Sequence, residues 1–556
     1  MKKLFAVFLS ISLLALPLPS VQAQRKKDKA TALTPAAVAT QRGADQITAA
    51  QMRAYLSFIA SDEMEGRDTP SRGLDTTAKF IAMNLTRWGF KPAGDSGTFF
   101  QRIALRRDRV DAAQTRVEFN GQALTSGDDY IPSSANGNTS GQLVFAGNGW
   151  FIKSKGIDAY KDIDAKGKIA VVFGTPNASP RGLRRADLGK QGEDWMSTID
   201  YARKQGVAGL IYVPDFQFLA NWDRSRQRIM ERGSTLPEKF LSQSGTPIPS
   251  ITVSPKVANA LFQGEKQNAT ALFEQLYGGT GTPPAPFALT AEKKFTINVV
   301  VKNEGVGTQN VVAVWEGSDP VLKDEYVALG AHYDHVGTGP GVNGDTVFNG
   351  ADDDGSGTTA LLAMAEALAR AGPRPKRSVL FVWHCGEEKG LWGSRYFTDY
   401  PTVPLDHIVT QINIDMIGRS KKAGDTNPRN ANLTGPNDVY VIGHNLMSTE
   451  LGELTESVNK GFLNIGYDYR YDDPTDPNRF FFRSDHYNYA RKGIPIIFFF
   501  DGVHEDYHQL GDSPDKIDYD KMERVTRTVY MTLWELANRA TRPKVDKPLP
   551  AQLAGN

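Results

Sequence analysis

The sequence predicts an α/β fold in which a mostly parallel central sheet is flanked by helices. Two observations support this prediction. Short apolar runs alternate with longer stretches of helical periodicity from about residue 286 onward, and the short runs are apolar at nearly every position. A strand that is apolar throughout is buried on both faces, as in a parallel sheet covered by helices on each side.

The predicted elements of this part follow one another in a regular order. Helical spacing of apolar residues is clearest over 358–370 and 519–537. The predicted strands lie at 298–301, 311–315, 326–331, 378–383, 408–414, 439–442 and 495–500. We assign the whole alternating stretch, residues 286–540, to one domain.

A segment of different texture precedes this domain. Residues 135–285 contain strand-like apolar runs such as 209–213 between polar stretches, and their Gly- and Pro-rich end at 278–286 has the composition of a linker. We therefore predict a β-rich inserted domain at 135–285. Residues 46–134, which begin with helical spacing and then become β-rich, are the N-terminal part of the main domain.

The two ends of the chain carry different signals. A lysine pair precedes a short apolar run, and Val21-Gln22-Ala23 is a small-residue cleavage site, so residues 1–23 have the three parts of a secretory signal peptide. We expect cleavage near Ala23, an exported protein that is periplasmic or secreted, and a flexible leader at 24–45. The Pro- and Lys-containing residues 541–556 are predicted to form a disordered tail.

Composition argues against several classes of partner. The chain of 556 residues has 64 Lys and Arg against 63 Asp and Glu, a net charge of +1. No strong field therefore favours nucleic acid or an anionic membrane. The N-terminal apolar run is too short for a good membrane span, so we expect no membrane anchor. The single cysteine, Cys385, excludes an intrachain disulfide and is interpreted as a small buried residue.

Residues with metal-ligand chemistry follow four of the predicted strands. In open α/β sheets, ligands bind just beyond the carboxyl ends of the strands, so these residues are expected to converge at one edge. A further acidic run lies directly before the helix at 358–370. The candidates are His332 and Asp334 after 326–331, Asp353 in the acidic run, Glu387 and Glu388 after 378–383, Asp415 after 408–414, and Tyr507 and His508 after 495–500.

These residue types suit a zinc centre. Zinc accepts His nitrogen and carboxylate oxygen, and two zinc ions need one carboxylate between them, which is a role for a short and rigidly held aspartate such as Asp353. In an extended backbone, Asp334 can orient the ring of His332. Glu387 and Glu388 are adjacent and must diverge, so one can bind metal while the other takes a proton from an activated water.

Three further motifs accompany the candidates: Ser61-Asp62-Glu63-Met64-Glu65-Gly66-Arg67, Gly390-Leu391-Trp392-Gly393-Ser394 and Ser484-Asp485-His486. With them, the chain resembles the clan MH di-zinc aminopeptidases over roughly residues 50–535. The segment around Gly167-Lys168-Ile169 is similar to a protease-associated (PA) domain, which identifies the insertion. The resemblance implies a zinc-exopeptidase-like fold and peptide substrates.

The resemblance also implies a role for each candidate. Two zinc ions per chain would be held, one by His332 and Asp415 and the other by Glu388 and His508, with Asp353 as the bridge. Glu387 would be the general base for a metal-bridged water. Tyr507 is similar to a tyrosine that hydrogen-bonds the developing oxyanion in some members. The family often has a cis peptide after the bridging aspartate, here between Asp353 and Asp354.

The leading hypothesis is an exported exopeptidase that removes N-terminal residues. Other functions stay open. A glutaminyl cyclase of this fold would act with one zinc, and a carboxypeptidase would need a cation such as Arg483 for the substrate carboxylate. A receptor-like binding protein would lack the metal ligands, whereas this chain keeps all five. His335 is interpreted as a neighbour packed near the site. No obligate protein partner is inferred.

Overall fold

The computed structural model describes residues 43–553 except 177, 184, 242–244, 278–283 and 552. The predicted signal peptide at 1–23 lies outside the described residues, as does the predicted leader up to residue 42. The end of that leader is described, and its Ala44 is buried in the main core.

The strands are, in chain order, Lys91–Pro92 (β1), Phe100–Val110 (β2), Arg116–Phe119 (β3), Gln122–Ala123 (β4), Tyr130–Pro132 (β5), Gly137–Phe145 (β6), Phe151–Ile152 (β7), Ile157–Asp158 (β8), Ile169–Phe173 (β9), Trp195–Met196 (β10), Gly209–Val213 (β11), Ser234–Pro237 (β12), Ser250–Val253 (β13), Phe287–Ala288 (β14), Lys294–Val299 (β15), Val301–Trp315 (β16), Tyr326–His332 (β17), Thr338–Val342 (β18), Asp345–Val347 (β19), Ser378–His384 (β20), Ile408–Ile414 (β21), Asp438–Ile442 (β22), Gly466–Asp468 (β23) and Ile496–Phe500 (β24).

The α-helices are Ala49–Ile59 (α1), Arg72–Trp88 (α2), Thr198–Lys204 (α3), Phe216–Ala220 (α4), Trp222–Gln227 (α5), Glu238–Leu241 (α6), Pro255–Phe262 (α7), Ala269–Tyr277 (α8), Gly355–Arg370 (α9), Trp392–Asp399 (α10), Thr449–Gly461 (α11), His486–Ala490 (α12) and Tyr519–Asn538 (α13). None of the helices in the described part of the chain has the length and apolar character needed to span a bilayer.

The main sheet has the strand order β12-β2-β16-β20-β17-β21-β24-β22-β23, with β1 paired to β16. Its centre, β20-β17-β21-β24, is parallel, as the apolar runs predict. The flanking pairs β2–β16, β16–β20 and β22–β24 are antiparallel. The sheet is therefore mixed, and the predicted parallel arrangement holds for the strands that carry the site.

Both faces of the central strands are buried, which explains their continuous apolar sequences. In β20, Phe381 and Trp383 pack into one apolar cluster and Leu380 and Val382 into another on the opposite face. Helices α1, α2, α9 and α13 contribute to the first cluster, α12 contributes to the second, and α10 contributes to both. Because each face is covered, alternation of polar and apolar residues is absent from these strands.

A second sheet has the order β4-β3-β15-β6-β9-β11-β13-β5, with β14 paired to β6, and it has its own apolar clusters. The chain leaves the main sheet after β2 and re-enters with β16, whose Val301 pairs with Val110. The predicted boundaries of the insertion, 135–285, are thus too narrow, since β3 and β15 belong to the second sheet. Local sequence does not reveal which distant strand is the pairing partner.

Two further segments differ from expectation in what they contact. Part of the insertion returns to the main sheet, where β12 pairs with β2 and Phe240 joins the main core. The predicted disordered tail, 541–556, packs on the main domain over its described residues. Arg542 pairs with Glu325, and Leu553 is buried. The leucines between the prolines give this tail an apolar surface that it can bury. The overall composition of the tail does not indicate this surface.

Candidate metal centre

Four neighbouring parallel strands deliver the predicted residues to one edge of the main sheet. His332 is the last residue of β17, and Asp415 follows β21 directly. Glu387 and Glu388 follow β20 after a turn at Gly386, which has a positive φ of 68°. The loop after β24 carries His508. The carboxyl ends of these strands therefore meet as expected for a ligand site in an α/β sheet.

The side chains form two donor groups that share Asp353. In the first group, His332 Nε2 lies 3.3 Å from Asp353 Oδ1 and 3.6 Å from Asp415 Oδ1. In the second, His508 Nε2 lies 3.1 Å from Asp353 Oδ2 and 2.9 Å from Glu388 Oε2. Each oxygen of Asp353 thus faces a different group, which is the arrangement of a bridging carboxylate.

The carboxylate of Asp512 holds the backbone around Asp353 through hydrogen bonds. The carboxylate of Asp512 accepts hydrogen bonds from the N–H groups of Asp352 and Asp353, each at 3.1 Å. Gly350 has a positive φ of 56°, and a Cβ there would lie 2.4 Å from the carbonyl oxygen of Asp353 and from the ring of His335. Only glycine fits this position, so the backbone passes close to Asp353 and His335.

Asp354 links three of the elements that carry donors. Its carboxylate accepts from the N–H of His332 at 3.2 Å, of Gly357 at 2.8 Å and of Met416 at 3.2 Å. It therefore caps α9 while fixing the ends of β17 and β21. The peptide between Asp353 and Asp354 is cis, as the resemblance implies.

Glu387 and Glu388 diverge, as their adjacency requires. Glu388 faces the second donor group, whereas Glu387 Oε2 lies 3.9 Å from His332 Nε2 of the first. Nδ1 of His332 lies 3.1 Å from the carbonyl oxygen of Asp334 and 3.7 Å from its carboxylate. That carboxylate accepts from the N–H of Glu387 at 3.1 Å. The carboxylate of Asp334 thus contacts the backbone of Glu387 more closely than it contacts the ring of His332.

The crowding of buried carboxylates shifts several pKa values. Burial, together with the charges of Glu388 and Asp415, raises the pKa of Glu387 well above its ordinary range, although His332 opposes the shift. Burial would also raise the pKa of Asp353, yet the facing imidazoles of His332 and His508 hold it well below its usual value. Glu387 therefore holds a proton more readily than Asp353 does.

The donor atoms fit a bound cation. Among buried side-chain atoms of the described chain that have no hydrogen-bond partner are His332 Nε2, Asp353 Oδ2, Glu388 Oε1 and His508 Nε2. Buried polar atoms are normally satisfied, so a cluster of unpaired nitrogen and carboxylate donors facing one another calls for an ion between them. The mixture of imidazole and carboxylate is the ligand set of zinc.

A small cavity opens beside the first group. Its walls include Glu387, Asp353 and Asp415 on one side and the apolar side chains of Met416, Phe480, Phe498, Phe500 and Val503 on the other. Tyr507 and the exposed Arg483 lie at its rim, where Arg483 Nη2 is 3.3 Å from the Tyr507 hydroxyl. The cavity therefore places apolar surface next to the donors.

The sequence did not indicate three residues that build this centre. His335 stands among the second donor group instead of merely packing near it. Asp512 and Arg67 act through backbone groups, and Arg67 reaches the carbonyls of Tyr333, Asn349 and Gly350. Cys385 is buried, and burial raises the pKa of its thiol, which agrees with its interpretation as a packed residue.

Residues 310–533 match the model of Peptidase family M28. Leucine aminopeptidase 2 of Arthroderma otae is 29% identical over 290 residues, which are 47% of this chain and 52% of that protein. Leupeptin-inactivating enzyme 1 of Streptomyces exfoliatus is 36% identical over 117 residues, which are 21% of this chain and 24% of that protein. The chain thus spans about half the length of the first of these curated relatives.

A solved structure resembles this one along nearly its whole length. The aminopeptidase from Aneurinibacillus sp. strain AM-1 superimposes with a TM-score of 0.52 at 15% sequence identity, covering 91% of this chain and 98% of that one. At such low identity the likeness shows the fold alone. It confirms the predicted α/β class.

The match of residues 310–533 to the model of Peptidase family M28 bears out the predicted resemblance at the level of that family. The identification of the insertion as a PA domain, the role of each site residue and the number of zinc ions stay predictions.

Proposed function

We propose that this chain is an exported di-zinc exopeptidase that removes N-terminal residues from peptides. The observation that carries the proposal is the pair of donor groups joined by the two oxygens of Asp353. His332 and Asp415 would hold one zinc, and Glu388 and His508 the other. Two ions bound there would polarise the scissile carbonyl and acidify a water molecule.

Glu387 is the general base of this proposal. Its carboxylate is beside the first donor group, and Asp334 fixes its backbone N–H. Because its pKa is raised, it can accept a proton from the attacking water and then donate that proton to the leaving amine. A carboxylate that is buried among other acids is suited to hold a proton between the two steps.

In this proposal Tyr507 stabilises the developing oxyanion. Burial and the nearby charge of Asp353 raise the pKa of its phenol, so the hydroxyl keeps its proton. Arg483 can donate to the phenol oxygen, which leaves the hydroxyl hydrogen free for the substrate. The apolar walls of the cavity favour a substrate with an apolar side chain at the cleaved residue.

Arg483 also favours a second candidate, a carboxypeptidase. Its side chain is exposed at the rim of the cavity, within reach of a carboxylate that enters. A C-terminal carboxylate could pair with this guanidinium. Peptides with a free or an acetylated N-terminus separate the two candidates, because an aminopeptidase cleaves only the free form and a carboxypeptidase cleaves both.

The substitution Glu387→Gln tests the chemistry. Removing the base should lower kcat by at least about 100-fold, the usual contribution of a general acid–base group, while the bound zinc is retained. Glu505→Gln is the matched control, since Glu505 lies in the loop of His508 but bonds Asn427 instead of the donors. Near-normal turnover of Glu387→Gln would remove Glu387 from this role.

We further propose that the second sheet is the PA domain and that it lies on the route of substrate to the site. The chain makes a single excursion from the main sheet to form it, and β12 and Phe240 attach it to the main domain. An insertion with this attachment would limit substrate size without supplying donors. Export with cleavage near Ala23 is tested by sequencing the N-terminus of the mature protein.

A further inference from the structure

His335 lies inside the second donor group although it was expected only to pack nearby. Its side chain is fully buried, with no exposed surface. Nδ1 lies 2.9 Å from Glu388 Oε1 and 3.7 Å from Asp353 Oδ2. The rings of His335 and His508 face the same carboxylates from two sides, with centroids 5.5 Å apart.

Within the part of the chain that the structure describes, neither ring nitrogen of His335 has a hydrogen-bond partner. Glu388 Oε1 is unpaired as well, despite its short distance to Nδ1. The two atoms are thus close without being aligned as donor and acceptor. What distinguishes His335 is that its free Nδ1 lies beside a carboxylate oxygen of Glu388 that is also free.

The spacing is that of atoms around one ion. Zinc–ligand bonds of about 2.0–2.2 Å at tetrahedral angles separate ligand atoms by roughly 3.3 Å. His508 Nε2 stands 2.9 and 3.1 Å from its two carboxylate oxygens, and His335 Nδ1 stands 2.9 and 3.7 Å from its own. His335 therefore has the same relation to Glu388 and Asp353 as the predicted ligand His508.

We propose that His335 is a fourth protein ligand of the second site. That site then has two imidazoles and two carboxylates, whereas the first has only His332, Asp353 and Asp415. Zinc sites with four protein ligands are closed, and sites with three keep a position open for water or substrate. The two sites are therefore unequal: the second holds its ion more tightly, and the first is the open one. This inference rests on the proposed function, because it requires both groups to bind metal.

The test uses the full chain loaded with zinc and measures metal content and X-ray absorption instead of turnover. Wild type should bind two zinc ions with about three imidazoles between them, and His335→Gln should show about two. The tighter zinc should weaken by more than about 100-fold, beyond the loss expected for a residue that merely orients a ligand. His444→Gln is the control, since that imidazole is stacked on Tyr469 away from the donors.

A rescue variant guards against simple misfolding. His335→Cys places a thiolate at the same position, so zinc affinity should recover and a sulfur should appear at about 2.3 Å from zinc. Two zinc ions with only two imidazoles in the wild type, and no sulfur signal in His335→Cys, would overturn the inference while leaving the proposed function intact. A wild type that binds no zinc would overturn the proposed function itself.

Discussion

Arg67 is the residue whose loss should damage the centre most without touching a donor. Its side chain is completely buried, and its guanidinium donates to four carbonyls, those of Ile59, Tyr333, Asn349 and Gly350, at 2.7–3.0 Å. Ile59 ends α1, Tyr333 follows β17, and Asn349 and Gly350 precede α9. The side chain thus joins the end of α1 and the loop after β17 to the loop that carries Asp353.

The magnitude follows from these contacts. Hydrogen bonds from a charged donor contribute about 1.5–3 kcal/mol each, so four would contribute roughly 6–12 kcal/mol. Burial of the guanidinium opposes this by several kcal/mol, and it lowers the pKa of Arg67 to about 10 despite nearby Asp512. The substitution Arg67→Met should therefore reduce the free energy of unfolding by about 4 kcal/mol. Arg67→Lys should lose nearly as much, because an ammonium has only three donors and cannot form the planar fork.

Thermal unfolding of metal-free protein measures this loss directly, and zinc titration shows whether the donor groups loosen. The matched control is Arg72→Met, since Arg72 is 80% exposed and pairs only with Glu65. A surface pair of that kind contributes about 0–1 kcal/mol. If Arg67→Met unfolds within about 1 kcal/mol of wild type, the guanidinium does not hold these loops and the reasoning is wrong.

Two predictions concern the buried pair Lys521–Asp501, which joins α13 to the end of β24 at 2.9 Å. Lys521→Met should lower the free energy of unfolding by about 3–5 kcal/mol at pH 8, as measured by denaturant unfolding. Adding Asp501→Asn should recover most of this loss, because no unpaired charge then remains. A double variant that is no more stable than Lys521→Met would contradict this prediction. Burial raises the pKa of Asp501 to about 7 although Lys521 opposes the shift. A carboxyl with a raised pKa favours the folded state only while it is protonated. The free energy of unfolding of the wild type should therefore fall by about 2 kcal/mol relative to that of Asp501→Asn between pH 5 and pH 7.5. A difference that does not change with pH would refute the raised pKa of Asp501.

The central strands were predictable because burial on both faces leaves a signal that is visible locally. β17, β20, β21 and β24 begin and end within one residue of the predicted positions. The donors at their ends followed from the rule that ligands bind at the carboxyl edge. The use of Asp353 as the shared residue came from the resemblance, and the structure places one of its oxygens in each group.

Other features depend on contacts between residues that are distant in sequence. The pairing of β2 with β16 spans the whole insertion, and no periodicity records it. Arg67 donates its hydrogen bonds to backbone carbonyls, which every residue has. The sequence therefore does not show which residues are its partners. The position of His335 also depends on such contacts, since the sequence does not show that its Nδ1 lies 2.9 Å from Glu388 Oε1.

The charge of the centre explains why a cation belongs in it. Asp353 and Asp415 are buried, Glu387 and Glu388 are largely so, and all four lie around the same imidazoles. So many ionised carboxylates cannot share a site without compensation. Protons supply it when no metal is bound: burial would lower the pKa of His508, but the charges of Asp353 and Glu388 raise it to about 10. Zinc requires the neutral imidazole, so binding replaces these protons with the charge of the ion. The same carboxylates that destabilise an empty site thus provide the affinity of the loaded one, and this coupling is the reason to expect metal-dependent stability throughout the sheet edge.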